Sequence, residues 1–192
     1  MRSVIMEEPG KVVVEDRPMP TLLESTDAVI KLAASCICGS DLWPYRGAQP
    51  EPVDHQQMGH EYIGEVIEVG DDVKTVKPGD FVVGSFCISC GECATCRDGY
   101  PSRCLKAIAA GDGFIGMRLN GTQAEYARIP FADGTLVKTP AYPTAEQIPH
   151  LMAASDVLGT GWYAADAAKA GPGKTIVVVG DGAVGLGAVI GA

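Results

Sequence analysis

Four cysteines stand close together between residues 90 and 104, in the run Cys90-Gly-Glu-Cys93-Ala-Thr-Cys96 followed by Cys104. Tetrahedral zinc takes four thiolates at about 2.3 Å, and intervals this short allow one loop to supply all of them. Disulfide pairing is the alternative, but the chain carries no mark of secretion, and in a reducing compartment such clusters are more often metal sites. The spacing therefore predicts a structural zinc ion.

A fifth cysteine, Cys87, precedes this cluster by three residues, so the run from Cys87 to Cys96 is also compatible with an iron–sulfur cluster. The ferredoxin-type run has a longer last interval and a proline after its fourth cysteine, whereas Arg97 follows here. Cys87 ends an apolar run at residues 81–86, which favours a core thiol at the end of a strand. Zinc is therefore the predicted metal.

Three other segments carry side chains that bind metals or move protons. Cys-Gly-Ser-Asp at residues 38–41 follows one predicted strand, Gly-His-Glu at residues 59–61 opens another, and Asp156 stands far along the chain. A catalytic zinc usually takes three protein ligands and leaves a fourth position for water or substrate. A thiolate, an imidazole and a carboxylate would suit such a site. Spacing alone does not join these segments, and His60 is equally compatible with a structural role.

The scaffold for these segments is β-rich over the first 140 residues, where short alternating or β-branched runs are broken by Gly, Pro and Asp. Turn signals at residues 78–80 (Pro-Gly-Asp) and 132–134 (Ala-Asp-Gly) separate the runs. The predicted strands are Val12 to Glu15, Asp27 to Ser35, Tyr62 to Val69, Phe81 to Val83 and Gln123 to Ile129.

From Thr144 onward the pattern predicts helices and one buried strand. Thr144 and Asp156 are candidate N-caps, and the alanine-rich stretch 161–170 favours helix by intrinsic propensity. The continuous β-branched run from Thr175 to Val179 is typical of a strand buried on both faces of a parallel sheet.

This run leads into a glycine-rich turn, Gly180-Asp-Gly182-Ala-Val184-Gly185, and a predicted helix. A strand before and a helix after are the context of a dinucleotide-binding turn, in which the helix N-terminus offers N–H groups to a pyrophosphate. An ordinary strand-to-helix turn is the alternative. One strand and one helix do not complete a doubly wound sheet, so we expect the sequence to be a fragment of a longer chain.

The composition excludes some classes of partner. The net charge is −9 and no run of Lys and Arg is present, which argues against nucleic acid. The N-terminus lacks the apolar segment of a signal peptide, and no apolar stretch approaches the roughly 18 residues of a membrane helix. We therefore expect a cytoplasmic protein without nucleic-acid or membrane partners.

Taken together, the motifs resemble those of the zinc-dependent medium-chain alcohol dehydrogenases. Cys-Gly-Ser-Asp, Gly-His-Glu, the four-cysteine lobe and the glycine-rich turn follow one another in that family's order over nearly the whole chain. The resemblance implies a mixed β and α/β fold, with a GroES-like β-barrel catalytic domain at residues 1–150 and a structural-zinc lobe at 87–105. Residues 151–192 would be a linking helix and the first, incomplete βα unit of a Rossmann doubly wound parallel sheet.

The resemblance also implies roles for individual residues. Cys38 and His60 are expected to bind a catalytic zinc, and Asp156 stands where many members have a third-ligand cysteine and others an aspartate. Asp41 is expected to accept the other ring N–H of His60, and Glu61 to be a carboxylate behind the metal that sometimes reaches it. With Cys90, Cys93, Cys96 and Cys104 as ligands of the structural ion, the subunit would hold two zinc ions.

The resemblance also implies which residues take the proton of the alcohol and which contact the cofactor. Ser40 matches the hydroxyl that takes the alcohol proton, and Thr160 falls in a stretch facing substrate and cofactor. Many members carry a relay histidine where this chain has Trp43, so the relay is expected to end at Ser40 and the cofactor ribose. The residue that separates NAD from NADP lies beyond Ala192. The residues expected to contact the cofactor are Gly180, Gly182, Val184 and Gly185.

The sequence therefore predicts a zinc-dependent, nicotinamide-linked alcohol dehydrogenase, inactive as this fragment alone. A polyol, amino-alcohol or formaldehyde dehydrogenase of the same family is one alternative. A non-catalytic zinc-stabilised binding or redox-sensing module is the other, and it would need one zinc ion rather than two. The expected partners are a small alcohol or aldehyde and, in the full-length protein, further copies of the chain in a dimer or tetramer.

Overall fold

The computed structural model describes residues 1–48, 54–111, 113–115 and 121–192. The strands assigned there lie within the first 138 residues, and each pair of neighbouring strands is antiparallel. They are β1 (Arg2–Glu8), β2 (Lys11–Asp16), β3 (Ala28–Ser35), β4 (Gln56–Gln57), β5 (Tyr62–Val69), β6 (Phe81–Gly84), β7 (Tyr126–Ile129) and β8 (Leu136–Lys138).

The strands form two sheets, one in the order β2-β1-β4 and one in the order β7-β3-β5-β6-β8. The long central strands β3 and β5 pair from Ala28 opposite Val69 to Ser35 opposite Tyr62, and their register shifts twice. Register shifts of this kind bend a sheet and increase its twist. An isolated bridge between Ser3, in β1, and Ala124, just before β7, links the two sheets.

The main core lies on one face of the five-stranded sheet and includes Ile30, Val66, Val82 and Ile129, each fully buried. Tyr62 is also fully buried, and its hydroxyl donates to the carbonyl oxygen of Ser85 at 3.2 Å. Burial of the phenol raises its pKa above the usual range. Tyr62 is the first residue of β5, so its burial and its hydrogen bond fix the position of the strand immediately after the Gly-His-Glu motif.

Short helices connect the strands, and two longer ones close the chain. None of the helices in the described part is long and apolar enough to cross a lipid bilayer. The helices are α1 (Leu42–Tyr45), α2 (Ala94–Arg97), α3 (Leu105–Ala109), α4 (Ala132–Thr135), α5 (Ile148–Met152), α6 (Val157–Ala167) and α7 (Ala183–Gly191).

Helices α6 and α7 cross closely because glycines stand at their contact. A side chain at Gly161 on α6 would overlap the backbone of Val184 and Ala188 on α7. The crossing places the glycine-rich turn, which precedes α7, beside the Asp156 end of α6.

All five strands predicted from the sequence are present, with ends that differ by up to three residues. Three further strands, β1, β4 and β8, were not predicted. The turn predicted at residues 132–134 is present as the single helical turn α4, which separates β7 from β8 and follows Phe131, whose φ is +48°.

The predicted strand from Thr175 to Val179 is also wrong in this structure. These residues belong to no strand or helix, and neither of the two sheets in the described part of the chain includes them. Val177 and Val179 are 81% and 96% exposed, so the run is not buried on both faces. A strand exists only where a neighbouring strand accepts its hydrogen bonds, and β-branched composition alone does not supply that neighbour.

Candidate metal centres and active-site cavity

The four cysteines of the lobe converge as the spacing predicted, with their sulfur atoms within 4.8 Å of one another. The Sγ of Cys93 lies 3.4 Å from that of Cys96 and 4.0 Å from that of Cys104. Sulfurs around a tetrahedral zinc at 2.3 Å stand about 3.8 Å apart, whereas a disulfide bond measures about 2.05 Å. The cluster therefore has the size of a zinc site, and all seven cysteines are free thiols.

Backbone N–H groups in the lobe point at the sulfurs. Cys90 donates to the Sγ of Cys104 at 3.3 Å, Cys93 to the Sγ of Cys90 at 3.4 Å, and Ala107 to the Sγ of Cys104 at 3.4 Å. Such bonds favour thiolates over thiols. The pKa of Cys93 is lowered to about 5, chiefly by its hydrogen bond with the Thr95 hydroxyl, whereas burial raises the pKa of Cys96. The four sulfurs can all be ionised only with a cation among them, which fits a bound metal.

The second group of possible ligands consists of Cys38, His60, Glu61 and Asp156, whose ligand atoms also lie within 4.8 Å of one another. Three separate elements supply them. Cys38 caps the 3₁₀ turn at residues 39–41, His60 and Glu61 precede β5, and Asp156 is the N-cap residue of α6. The fold thus joins three segments that spacing could not.

Two carboxylates flank the imidazole of His60. Its Nδ1 lies 3.3 Å from Oδ1 of Asp41, and its Nε2 lies 3.5 Å from Oδ2 of Asp156. The hydrogen bonds to Asp156 and then Asp41 raise the pKa of His60 from 6.5 to about 11. The two carboxylates therefore stabilise positive charge at this imidazole. A divalent cation bound at Nε2 would supply that charge in place of a proton.

Two acidic groups, Asp156 and Glu61, lie close to the imidazole of His60, and their pKa values shift in opposite directions. Burial would raise the pKa of Asp156, but hydrogen bonds from His60 and from the Thr160 hydroxyl, at 2.7 Å, lower it below its usual range. Glu61 is 3% exposed, and burial followed by the nearby Asp156 raises its pKa. A thiol, an imidazole and carboxylates that converge on one point form a donor set that suits zinc, so these residues fit a catalytic ion.

A cavity of about 520 Å³ opens onto this group, and Ser40, Trp43 and Thr160 line it together with His60 and Asp156. The rest of its described lining is largely apolar. The ring of Phe86 meets the His60 imidazole edge-on at 6.1 Å between centroids and stacks on Phe114 at 5.9 Å. Further apolar lining comes from Met6, Pro44, Met58 and Ile115.

The glycine-rich turn borders a second, larger cavity of about 920 Å³ that also reaches Cys38 and Glu61. Gly180 has φ +115°, and Gly182 is the N-cap residue of α7. A side chain at Gly185 would overlap the carbonyl oxygen of Gly180, so the turn can close only with glycine there. Val184 lines both cavities, which places the turn next to the candidate metal centre.

The structure brings together every residue of the second group that the sequence analysis named. The Ser40 hydroxyl lies 3.4 Å from Nε2 of His60, and the Thr160 hydroxyl donates a hydrogen bond to Asp156. His55 lies outside the site in a loop, where it pairs with Glu15 at 2.9 Å. Phe86 and Phe114 also line the cavity but were not predicted, because apolar character alone does not distinguish a site residue from a core residue.

Comparisons with known proteins identify the family and the folds to which this chain is similar. Residues 24–141 match the family of alcohol dehydrogenase GroES-like domains. Zinc-type alcohol dehydrogenase B of Aspergillus flavus is 43% identical over 198 residues, which cover 100% of this chain and 44% of that protein. A glutathione-independent formaldehyde dehydrogenase of Pseudomonas aeruginosa is 38% identical, covering 97% of this chain and 50% of that protein.

A solved structure of an alcohol dehydrogenase from Thermus sp. ATN1 matches with a TM-score of 0.86 at 35% identity, covering 98% of this chain and 54% of that one. The present chain therefore spans about half the length of the relatives it matches.

Proposed function

Because the chain belongs to the zinc-dependent medium-chain alcohol dehydrogenases, with their GroES-like domain, we propose that it takes part in nicotinamide-linked oxidation of an alcohol. The observation that carries the proposal is the convergence of Cys38, His60 and Asp156 beside an apolar cavity. A binding or redox-sensing module has no need of this second ligand group. The four-cysteine lobe would then hold a structural ion, giving two zinc ions per subunit.

The proposed ligands of the catalytic ion are Cys38, His60 and Asp156, with Glu61 or water as the fourth. When bound, zinc supplies Lewis acidity, which lowers the pKa of an alcohol hydroxyl. Asp41 holds the Nδ1 side of His60, and Thr160 holds one oxygen of Asp156, so both ligands keep a defined orientation. A metal-bound structure in which the Asp156 carboxylate makes no metal contact would remove that residue from the ligand set.

The remaining side chains bind the substrate and move its proton. Ser40 is exposed to the cavity, and its Oγ is proposed to take the hydroxyl proton of the substrate. Phe86, Phe114 and Met58 give the described wall an apolar surface, which supports an uncharged alcohol or aldehyde as substrate. The relative named for formaldehyde favours formaldehyde as the second candidate substrate.

The division of the chain follows from the same proposal. Residues 1–150 would form the catalytic domain with the lobe at 87–105, and residues 151–192 the linking helix and the first βα unit of a cofactor domain. The free cysteines fit a reducing compartment such as the cytoplasm. Assembly into dimers or tetramers would follow the family, and the acidic net charge of −9 speaks against nucleic acid as a partner.

The test of the function is alcohol-dependent reduction of NAD or NADP by the zinc-loaded protein in its full-length form. We expect activity with primary alcohols, its loss after removal of zinc with a chelator, and its return when zinc is restored. Formaldehyde, a polyol and an amino alcohol serve as competing substrates. A protein that binds a single zinc ion and reduces neither cofactor would contradict the proposal and favour the non-catalytic module.

The glycine-rich turn gives a separate prediction about the cofactor. A side chain at Gly182 meets no atom within 4 Å, so Gly182→Val should leave the fold intact but fill the space that the pyrophosphate approaches. We expect nicotinamide binding to weaken about tenfold or more, since hydrogen bonds to charged groups contribute about 1.5–3 kcal/mol. Gly171→Val, also in open space but away from the turn, is the control. Equal cofactor affinity in the two variants would refute this role.

A further inference from the structure

Gln123 lies behind the second metal centre and connects two segments that serve it. Its side-chain amide nitrogen donates to the carbonyl oxygen of Cys36 at 3.0 Å and to Oδ2 of Asp41 at 3.2 Å. Both acceptors belong to the segment that carries Cys38. One partly buried side chain thus ties the Cys38 segment to the strand region that precedes β7.

These bonds determine which oxygen of Asp41 faces the imidazole. Asp41 is 8% exposed, so its carboxylate must find its partners within the protein. Oδ2 accepts from Gln123 and from the backbone N–H of Cys38 at 2.9 Å, which leaves Oδ1 directed at Nδ1 of His60. An Nδ1–H that donates to Oδ1 leaves the lone pair of Nε2 free for a metal.

Gln123 is itself placed by the residues just before His60. Its backbone N–H donates to the carbonyl oxygen of Met58 at 2.9 Å, and its carbonyl oxygen accepts from Val4 at 2.8 Å. Gly59 has φ +97°, and a Cβ there would lie 2.6 Å from the Gln123 side chain. Met58 and Gly59 therefore position Gln123, and Gln123 in turn acts through Asp41 on His60, the residue that follows Gly59.

We propose that Gln123 is a positioning residue of the catalytic metal centre, holding Asp41 and the Cys36 carbonyl so that His60 and Cys38 converge on one ion. The proposal rests on the proposed function, because it presupposes an ion at Cys38, His60 and Asp156. We expect the metal affinity of the four-cysteine lobe not to depend on Gln123, so that affinity serves as an internal reference within the same molecule.

Cobalt(II) titration of the metal-free protein tests the role, because a four-thiolate site and a one-thiolate site have different visible spectra. Gln123→Met keeps the length of the side chain without its donors, and Gln123→Glu keeps its shape but replaces the donor with a charge beside Asp41. Outer partners of metal ligands typically change affinity 10–100-fold. We expect both variants to bind cobalt about tenfold more weakly at the second centre and with unchanged affinity in the lobe.

Gln57→Met is the matched control. Gln57 is a partly buried glutamine that donates to a backbone carbonyl, that of Gly121 at 2.7 Å. Because the chain has three histidines, NMR of the zinc-loaded protein can also follow the Nδ1–H proton of His60, whose exchange with solvent we expect to become faster in Gln123→Met.

Wild-type affinity at the second centre in both Gln123 variants, or equal losses in both centres, would overturn the positioning role. Equal weakening in Gln57→Met would do the same. A wild-type protein that binds only one cobalt ion would instead contradict the proposed function.

Discussion

Cys93→Ser should release the metal from the four-cysteine lobe and lower the free energy of unfolding by about 3 kcal/mol or more. Structural zinc in zinc-finger peptides contributes about 10–16 kcal/mol of apparent binding free energy, and at such sites binding energy is folding energy. The lobe is joined to the main core through Cys104, which is 1% exposed, so its loosening would reach the five-stranded sheet. Urea unfolding measures the loss of stability, and elemental analysis should find one zinc ion fewer per subunit than in the wild type.

Cys87→Ser is the control that separates zinc from an iron–sulfur cluster. Cys87 is a buried free thiol and does not belong to the group of four converging sulfurs. Its replacement should cost about 1–3 kcal/mol, as expected for a buried hydroxyl without a partner, and should leave both zinc ions in place. Iron with visible absorbance in the purified protein, or loss of the lobe metal in Cys87→Ser, would contradict the zinc assignment.

The two metal centres differ in how far the sequence could predict them. The four cysteines proposed as ligands in the lobe all lie within residues 90–104, so their clustering is visible in the sequence itself. The second centre joins Cys38, His60 and Asp156, and only the resemblance to a family linked them. No local rule brings these segments together, because the pairing of β3 with β5 and the packing of α6 decide where they meet.

Gln123 shows what the sequence does not reveal even when the candidate ligands have been identified. The sequence predicted Gln123 only as the first residue of a strand. Its contact with Asp41 depends on how residues 122–123 bond to the segment that ends at His60. The predicted strand at 175–179 failed for a related reason, since a strand requires a neighbour that composition does not specify. In contrast, the GroES-like fold predicted from the motifs is confirmed by the family match over residues 24–141.

Ser40→Ala is expected to lower turnover of the full-length, zinc-loaded enzyme about 10²-fold or more, the usual scale of a general acid–base step. Ser40 is exposed, and the hydrogen bond of its hydroxyl to Nε2 of His60 is long, at 3.4 Å, so its removal should cost the fold little. Zinc content and thermal stability should stay near wild type while kcat falls. Thr160→Val is the contrasting variant, because its hydroxyl holds Asp156 and its loss should weaken zinc binding instead.

Trp43→His extends the test to the path of the proton. Trp43 lines the cavity and is 64% exposed, so a smaller ring fits without a void in the core. Adding an imidazole near Ser40 should leave turnover unchanged or raise it, by giving the proton a second route to solvent. Tyr45 lies close to Trp43 in the same helix, α1. Full activity in Ser40→Ala, together with its loss in Tyr45→Phe, would place the relay on another residue. No change in any of these variants would mean that the hydroxyl proton exchanges directly with water in the cavity.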